Sequence, residues 1–133
     1  MMAAILRAVH AALTADAQLT ALLGGPHVFE HVPAQARPPY VSLAVPVLRD
    51  WSTATEGGTE AEVTATAWSE ETSAAPAAAI RARIAAALAF GRLAVPGHAV
   101  VNVEPLPAAL ERRPADGLVV AVQRVRIVTE PEE

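Results

Sequence analysis

Residue types that carry much of protein chemistry are missing from this sequence. There is no cysteine, which excludes a disulfide framework, a thiolate metal site and a cysteine nucleophile. Lysine is absent too, so arginine supplies all ten basic side chains, against fourteen acidic ones. The net charge of -4 argues against a protein that binds nucleic acid tightly, because such binding depends on a basic patch that neutralises phosphates.

Long apolar runs are missing as well, although hydrophobic residues make up 53% of the chain. Much of that fraction is alanine, and no stretch reaches the roughly 18 consecutive apolar residues of a membrane-spanning helix. Arg7 and His10 interrupt the apolar N-terminus, so we interpret it as a helix of the mature protein and not as a signal peptide. A length of 133 residues fits one domain, residues 1–133, with a frayed acidic tail at 130–133.

The spacing of apolar residues predicts two helices at the N-terminus. In the first, apolar residues three or four positions apart share one face: Met2, Leu6, Val9 and Leu13. Asp16 is placed to N-cap a short second helix, which Gly24 and Gly25 end.

A third helix is expected in the middle of the chain, from about residues 73–76 to Gly91. Its apolar face contains Ile80, Ile84 and Leu88, and alanines between them allow close packing against a sheet. Arg81 and Arg83 are expected to point outward.

Alternation of apolar and polar residues predicts the strands. Residues 40–51 and 59–69 alternate in this way and form a long hairpin, in which Pro46 indicates an edge or a bulge. Other strands are expected at residues 28–32, 99–104 and 118–129, whereas residues 105–116 are interpreted as a connection. The predicted fold is α+β: a largely antiparallel sheet with the N-terminal helix and the central helix packed on one face.

The loop of this hairpin is polar and longer than a tight turn requires. It contains no large apolar residue, so we expect it to be mobile in the isolated protein. Its residues are Ser52, Thr53, Ala54, Thr55, Glu56, Gly57 and Gly58.

No residue pattern typical of catalysis or of metal binding is present. On an extended segment His27 and His31 would lie about 13 Å apart, too far to share a zinc ion. No serine lies in a G-x-S-x-G or S-x-x-K motif, and Glu60 and Glu62 are expected on a solvated strand face. Neither glycine pair is followed by lysine, as a phosphate-binding loop would require. We therefore expect no enzyme activity, no metal ion and no cofactor.

Four residues are candidates for a subunit interface: Trp51, Trp68, Arg112 and Arg113. The two tryptophans lie at ends of the hairpin strands, where they can pack in the core, pair with each other or anchor a partner. The two arginines have acidic neighbours, which favours salt bridges, including bridges across a subunit boundary, over phosphate contacts.

Short stretches of ordinary residues follow one another in a characteristic order. The N-terminal part has Leu19-Thr-Ala-Leu-Leu-Gly-Gly25 and then Pro38-Pro-Tyr-Val-Ser-Leu43, and the centre has Ala65-Thr-Ala-Trp-Ser69 before an alanine-rich helix. Arg113-Pro-Ala-Asp-Gly117 precedes the last strand. This succession, over nearly the whole chain, resembles the phage tail-completion proteins, a family of head-tail joining proteins or tail terminators.

The resemblance implies a virion protein that forms a ring, usually hexameric, on the tail tube and joins it to a head-side connector or stopper protein. It implies no catalytic residues, assembly in the bacterial cytoplasm, and DNA that passes through without specific binding. The loop from Ser52 to Gly58 would then order against a subunit of the adjoining ring, and acidic positions would face the channel. The alanine-rich, lysine-free composition is similar to versions encoded by gene transfer agents.

Two alternatives stay open on the sequence alone. A small ferredoxin-like ligand-binding or regulatory module would be a stable monomer or dimer with a defined pocket. A hydrolase would place a serine or a carboxylate beside a base in a cleft.

Overall fold

The helices and strands follow the predicted order, with one additional strand. The structure is a computed structural model that describes residues 2–50 and 57–132. Its helices are α1 (Met2–Thr14), α2 (Ala17–Leu23) and α3 (Ala75–Ala87). Its strands are β1 (Val28–Phe29), β2 (Tyr40–Asp50), β3 (Thr59–Ser69), β4 (His98–Pro105), β5 (Ala109–Arg113) and β6 (Leu118–Pro131). The predicted α+β class is confirmed.

Helix α2 begins and ends where the residue chemistry favours it. Oδ1 of Asp16 accepts a hydrogen bond from the Leu19 N–H at 2.8 Å, which satisfies one of the amides that the first turn leaves unpaired. Gly24 ends the helix with φ at +74°, in the left-handed region that glycine enters without steric cost. Both predicted caps are confirmed.

One sheet contains all the described strands, in the order β1-β2-β3-β6-β4, with β5 also paired to β6. Strands β2 and β3 form the predicted antiparallel hairpin, with Tyr40 opposite Trp68 and Asp50 opposite Thr59. Strand β6 pairs along one side with β3 and along its other side with β4 and β5. Strand β1 runs parallel to β2 and is shorter than predicted.

Strand β2 carries the irregularity that its proline predicts. The register of the hairpin shifts between Ala44 and Val47, so Pro46 lies in a bulge. On the outer side of β2, the described residues pair only at Val41 and Ser42, through β1. The proline therefore lies on a sheet edge, where its missing N–H interrupts no ladder.

One expectation for the C-terminal half is wrong. Residues 105–116 contain strand β5, because β4 covers only the later part of β6 and the chain before the turn at Gly117 pairs with the earlier part. Strand β6 continues to Pro131, into the segment 130–133 for which fraying is expected. Glu130 and Pro131 pair with β4, and the Glu132 N–H donates to the Gly97 carbonyl at 3.1 Å.

The two faces of the sheet differ in chemistry. The helices cover one face, where Ile5, Val9, Ile80 and Ile84 pack with strand residues such as Val41, Val63, Val125 and Ile127 in one buried cluster. We call the opposite side the open face. Its positions include Tyr40 on β2, Trp68 and Glu62 on β3, and Arg126 on β6.

Candidate functional site: the open sheet face

Two of the four histidines, His10 and His27, have a ring nitrogen near a backbone carbonyl oxygen. Nδ1 of His27 lies 3.1 Å from the Leu23 carbonyl oxygen, and Nε2 of His10 lies 3.0 Å from that of Val28. No group of three His, Asp or Glu side chains within residues 2–50 and 57–132 is arranged to hold a metal ion. No helix in the same part of the chain is both long and apolar enough to cross a membrane.

An ion-paired cluster crosses the open face. Arg126 on β6 lies between two carboxylates, with Nη1 3.4 Å from Glu60 on β3 and Nη2 3.3 Å from Glu104 on β4. Glu60 also pairs with Arg49 on β2 at 3.5 Å, and Glu62 pairs with Arg124 at 3.9 Å. We call these six side chains the ion-pair lattice: Arg49, Glu60, Glu62, Glu104, Arg124 and Arg126.

Strand register explains why the lattice forms. Arg49 lies directly opposite Glu60, and Arg126 lies directly opposite Glu104, positions from which opposite charges attract across a sheet. The sequence indicated that Glu60 and Glu62 lie on a polar strand face but did not identify their partners. The available signal was the alternation of Arg124 and Arg126 on the last strand.

Glu60 and Glu62 are more buried than their arginine partners, whereas Glu104 is more exposed than Arg126. The side chain of Glu60 is 18% exposed, whereas its partners Arg126 and Arg49 are 38% and 61% exposed. Val120 and Val128, which belong to the same face, are only 4% and 7% exposed although they lie outside the helix-side core cluster. The face therefore covers its own apolar positions with charged and aromatic side chains.

Large apolar side chains remain exposed elsewhere. Among the described residues seven are markedly exposed: Met2, Leu22, Val32, Leu48, Phe90, Val101 and Leu110. They belong to helices, connections and sheet edges, and none occupies a paired position of the open face. Phe90, which follows α3, is 62% exposed.

A row of rings crosses the open face at the end opposite the hairpin loop. Ring centroids are 6.4 Å apart between His27 and Phe29, 6.0 Å between Phe29 and Tyr40, and 6.0 Å between Tyr40 and Trp68. The guanidinium carbon of Arg113 lies 5.5 Å from the Trp68 ring centroid, a cation–π contact. We call these five residues the aromatic row.

Trp68 is fixed in this row by its own polar atom, since its Nε1–H donates to Oγ of Ser42 at 2.9 Å. The hypothesis that the two tryptophans pair with each other stays a prediction, because Trp51 lies outside the described residues. Asp50 pairs with Thr59, at the other end of β3 from Trp68. An antiparallel hairpin brings the end of its first strand to the start of its second, not to its end.

The structure brings three of the predicted interface residues to one end of the sheet. Besides the contact with Trp68, Arg113 pairs with Asp116 at 3.1 Å, and Nη1 of Arg112 donates to the Thr72 carbonyl at 2.7 Å. Trp51 and the loop residues Ser52, Thr53, Ala54, Thr55 and Glu56 lie outside the described residues. Gly57 and Gly58 are described, immediately before β3.

A second polar cluster links α3 to the N-terminal end of α2. Arg83 on α3, which was predicted to point outward, donates to both carboxylate oxygens of Asp16, at 3.1 and 2.7 Å, and to Oε1 of Gln18 at 3.1 Å. These hydrogen bonds from Arg83 hold the pKa of the Asp16 carboxyl below its usual range. Burial opposes this lowering, and the Leu19 N–H reinforces it.

Comparison with known proteins matches the chain to a family model and to a solved structure. The family model described as "Tail completion protein gp17" matches residues 7–130. A chain in the solved structure of the virion of a native gene transfer agent (GTA) particle is similar, with a TM-score of 0.86 and 27% sequence identity. The similarity covers 97% of this chain and 97% of that chain. No curated protein matches.

Proposed function

Because the chain belongs to the tail completion protein gp17 family, we propose that it is a tail terminator. The chain is a structural protein of a phage-type virion tail. As a terminator it forms a ring, hexameric by our expectation, that caps the tail tube and binds a connector or stopper protein on the head side. It acts through this geometry and not as an enzyme, and it assembles in the bacterial cytoplasm.

The observation that carries this proposal is the end-to-end likeness to a chain of a virion. At a TM-score of 0.86 over 97% of both chains, the resemblance includes the sheet, the helices and their order. A protein that functions inside such a particle must bury surface against its neighbours.

The exposed apolar residues support assembly. Interface cores are depleted of charge and rich in large apolar side chains, so the helix side, the sheet edges and the ends offer better contacts than the ion-pair lattice. We place a contact between neighbouring copies at Trp68, Arg112 and Arg113, together with Trp51 from the sequence. Arginine and tryptophan are the residue types that most often dominate binding energy at interfaces.

The hairpin loop, from Ser52 to Gly58, is proposed to contact the ring above or below. Asp50 and Thr59 close the base of the hairpin at the end of the sheet opposite the aromatic row. The proposed axial contact thus lies at the end of the hairpin opposite Trp68. A joining protein needs such separate surfaces for different neighbours.

Multi-angle light scattering combined with negative-stain imaging tests the ring. We expect rings of uniform size, formed by the protein at high concentration or beside the tube protein of the same virion. A protein that stays monomeric under both conditions would contradict the terminator and favour the small ligand-binding module.

Deletion of residues 52–58 tests the axial contact. A shortened two-residue turn keeps the hairpin closed, so the ring should still form, while tails and heads should join several-fold less often. Electron microscopy of lysates can count free tails against complete particles. Normal joining would show that another surface makes the axial contact.

A further inference from the structure

We infer that copies of this chain join head to tail through the two opposite edges of the sheet, with Glu111 of one copy paired to Arg37 of the next. The inference rests on the proposed ring and names the two surfaces that close it. A ring of identical contacts needs two different, complementary surfaces on every copy, because a surface that binds its own duplicate stops at a dimer.

The first surface is a groove beside β1, which is the outermost strand on one side of the sheet. The groove has a volume of about 460 Å³, and the exposed side chain of Arg37 contributes to its wall. Val32, next to the lining residue Pro33, is one of the exposed large apolar residues. We call this surface the β1 groove, and its lining residues are His27, Phe29, Pro33, Gln35, Ala36 and Arg37.

The second surface is the outer side of β5, on the opposite edge of the sheet. Among the described strands β5 pairs only with β6, and each of its residues is exposed. Leu110, another of the exposed large apolar residues, lies next to Glu111 in this strand. Each edge therefore offers an exposed aliphatic side chain and an exposed charge, and the two charges are opposite in sign.

Both charges are available to a partner. In the part of the chain that the structure describes, no ion pair includes Arg37 or Glu111. Arg113, by contrast, already contacts Asp116 and the Trp68 ring. A contact between copies that joins Arg37 to Glu111 adds an ion pair and breaks none.

The two surfaces lie at the same height on the sheet. Glu111 is opposite Val120 on β6, and Val120 is opposite Trp68 on β3. Trp68 is opposite Tyr40 on β2, whose ring centroid lies 6.0 Å from that of Phe29 in the β1 groove. Glu111 and the β1 groove are therefore the two ends of one row of residues across the sheet.

The two surfaces also lie on the same face. Side chains of a strand alternate between faces, so Glu111 shares a face with Arg113, which contacts Trp68 on the open face. Phe29 belongs to the aromatic row on that face as well. Two copies placed side by side in the same orientation thus bring Glu111 of one copy to the β1 groove of the next.

Charge reversal tests this pairing. Arg37→Glu gives a copy that is negative at both surfaces, and Glu111→Arg gives a copy that is positive at both. Either variant alone places like charges at every contact, so half-maximal assembly should need at least roughly tenfold more protein than the wild type. An equimolar mixture of the two should assemble as the wild type does, because alternating copies place opposite charges at every contact.

Sedimentation velocity over a concentration series measures assembly, and circular dichroism confirms that each variant is folded. Arg7→Glu and Glu70→Arg are the controls, since they reverse exposed charges on α1 and after β3, away from both edges. Each control should assemble as the wild type does.

Two results would overturn the inference and leave the ring intact: single variants that assemble as the wild type does, or a mixture that assembles no better than its components. A wild type that stays monomeric would refute the ring, and this contact with it. The failure of the contact is therefore distinguishable from the failure of the proposed function.

Cross-linking decides the question if a charge-reversed variant does not fold, because the natural chain has no cysteine. A chain with both Arg37→Cys and Glu111→Cys should give a ladder of covalent multimers with a short bis-maleimide reagent. Arg37→Cys alone should give no ladder, since a head-to-tail contact then has a thiol on one side only. A double variant that gives no ladder under conditions of assembly would contradict the inference.

Discussion

At the residue scale, Asp16 links two helices that are distant in the sequence. Its carboxylate caps α2 through Leu19 and binds Arg83, which is 67 residues away. The cap could be predicted, because an aspartate before an apolar helical pattern is a local signal. The arginine partner could not, because nothing local in Asp16 indicates which side chain the packing of α3 brings to it.

The lowered pKa of Asp16 has a consequence for stability. A carboxyl whose pKa is lower in the folded state stabilises the fold above its unfolded-state pKa, and this contribution is lost as the pH falls through the folded-state value. The contribution of Asp16 should therefore be complete above about pH 5 and should decline below the usual aspartate pKa of about 3.9.

The substitution Asp16→Asn tests this pH dependence of stability, because asparagine keeps a capping oxygen but cannot carry the charge. The free energy of unfolding of the wild type should exceed that of Asp16→Asn near neutral pH, and the difference should shrink toward pH 3. Urea unfolding at several pH values measures it, with Glu70→Gln as a control. Asp16→Ala, which also removes the cap, should cost about 1 kcal/mol more than Asp16→Asn. A difference that does not vary with pH would contradict the ion-pair explanation.

At the element scale, predictions succeeded where one face of an element is buried. Helix α1 and the hairpin of β2 and β3 show regular apolar patterns because each has a core side and another side. The buried residues of α1 are Ile5, Ala8, Val9 and Leu13, so Met2 was wrongly assigned to its buried face. Strand β5 shows no such pattern, since all its residues, Ala109–Arg113, are exposed. It is held by its ladder to β6 and by tertiary hydrogen bonds, including Arg81 to the Ala109 carbonyl at 3.3 Å, which no local pattern reveals.

The same reasoning applies to the candidate site. The polarity of Glu60 and Glu62 was visible in the sequence, but the ion-pair lattice depends on the register of four strands, and one of its members, Glu104, lies on an edge strand. The aromatic row likewise gathers residues from β1, β2 and β3 with Arg113 of β5. Pairing partners this distant along the chain are a property of the folded sheet.

Pro46 protects the outer edge of β2. An edge strand with free N–H and carbonyl groups is a template for pairing with another chain, and a proline within a bulge interrupts it. We expect Pro46→Thr to produce large, irregular assemblies that grow with protein concentration, detectable by light scattering and thioflavin fluorescence. Pro33→Thr, in the connection before β2, is the control and should behave as the wild type. If Pro46→Thr stays as dispersed as the control, the proline has no protective role.

At the scale of the whole molecule, the sheet separates two kinds of surface. At the ion-pair lattice, the charges of the open face are paired, and Val120 and Val128 on that face are buried, so the lattice requires no protein partner. The helix side, the edges and the ends expose large apolar side chains whose burial would contribute about 25 cal/mol per Å² of apolar surface. A molecule divided in this way can form a ring through one set of surfaces while the other set stays exposed to water.

Phe90 offers the most direct test of this division, since it is the most exposed large apolar residue among those that the structure describes, at 62%. Phe90→Ser should change the free energy of unfolding by no more than about 0.5 kcal/mol, because so exposed a side chain contributes little to the monomer. The same substitution should raise the concentration needed for assembly by roughly tenfold, as expected when an aromatic residue is lost from an interface. Sedimentation velocity over a concentration series measures assembly, and Thr64→Ser on the open face is the matched control, expected to assemble as the wild type does. Unchanged assembly of Phe90→Ser, or a loss in Thr64→Ser as large as in Phe90→Ser, would show that the copies meet through a different surface.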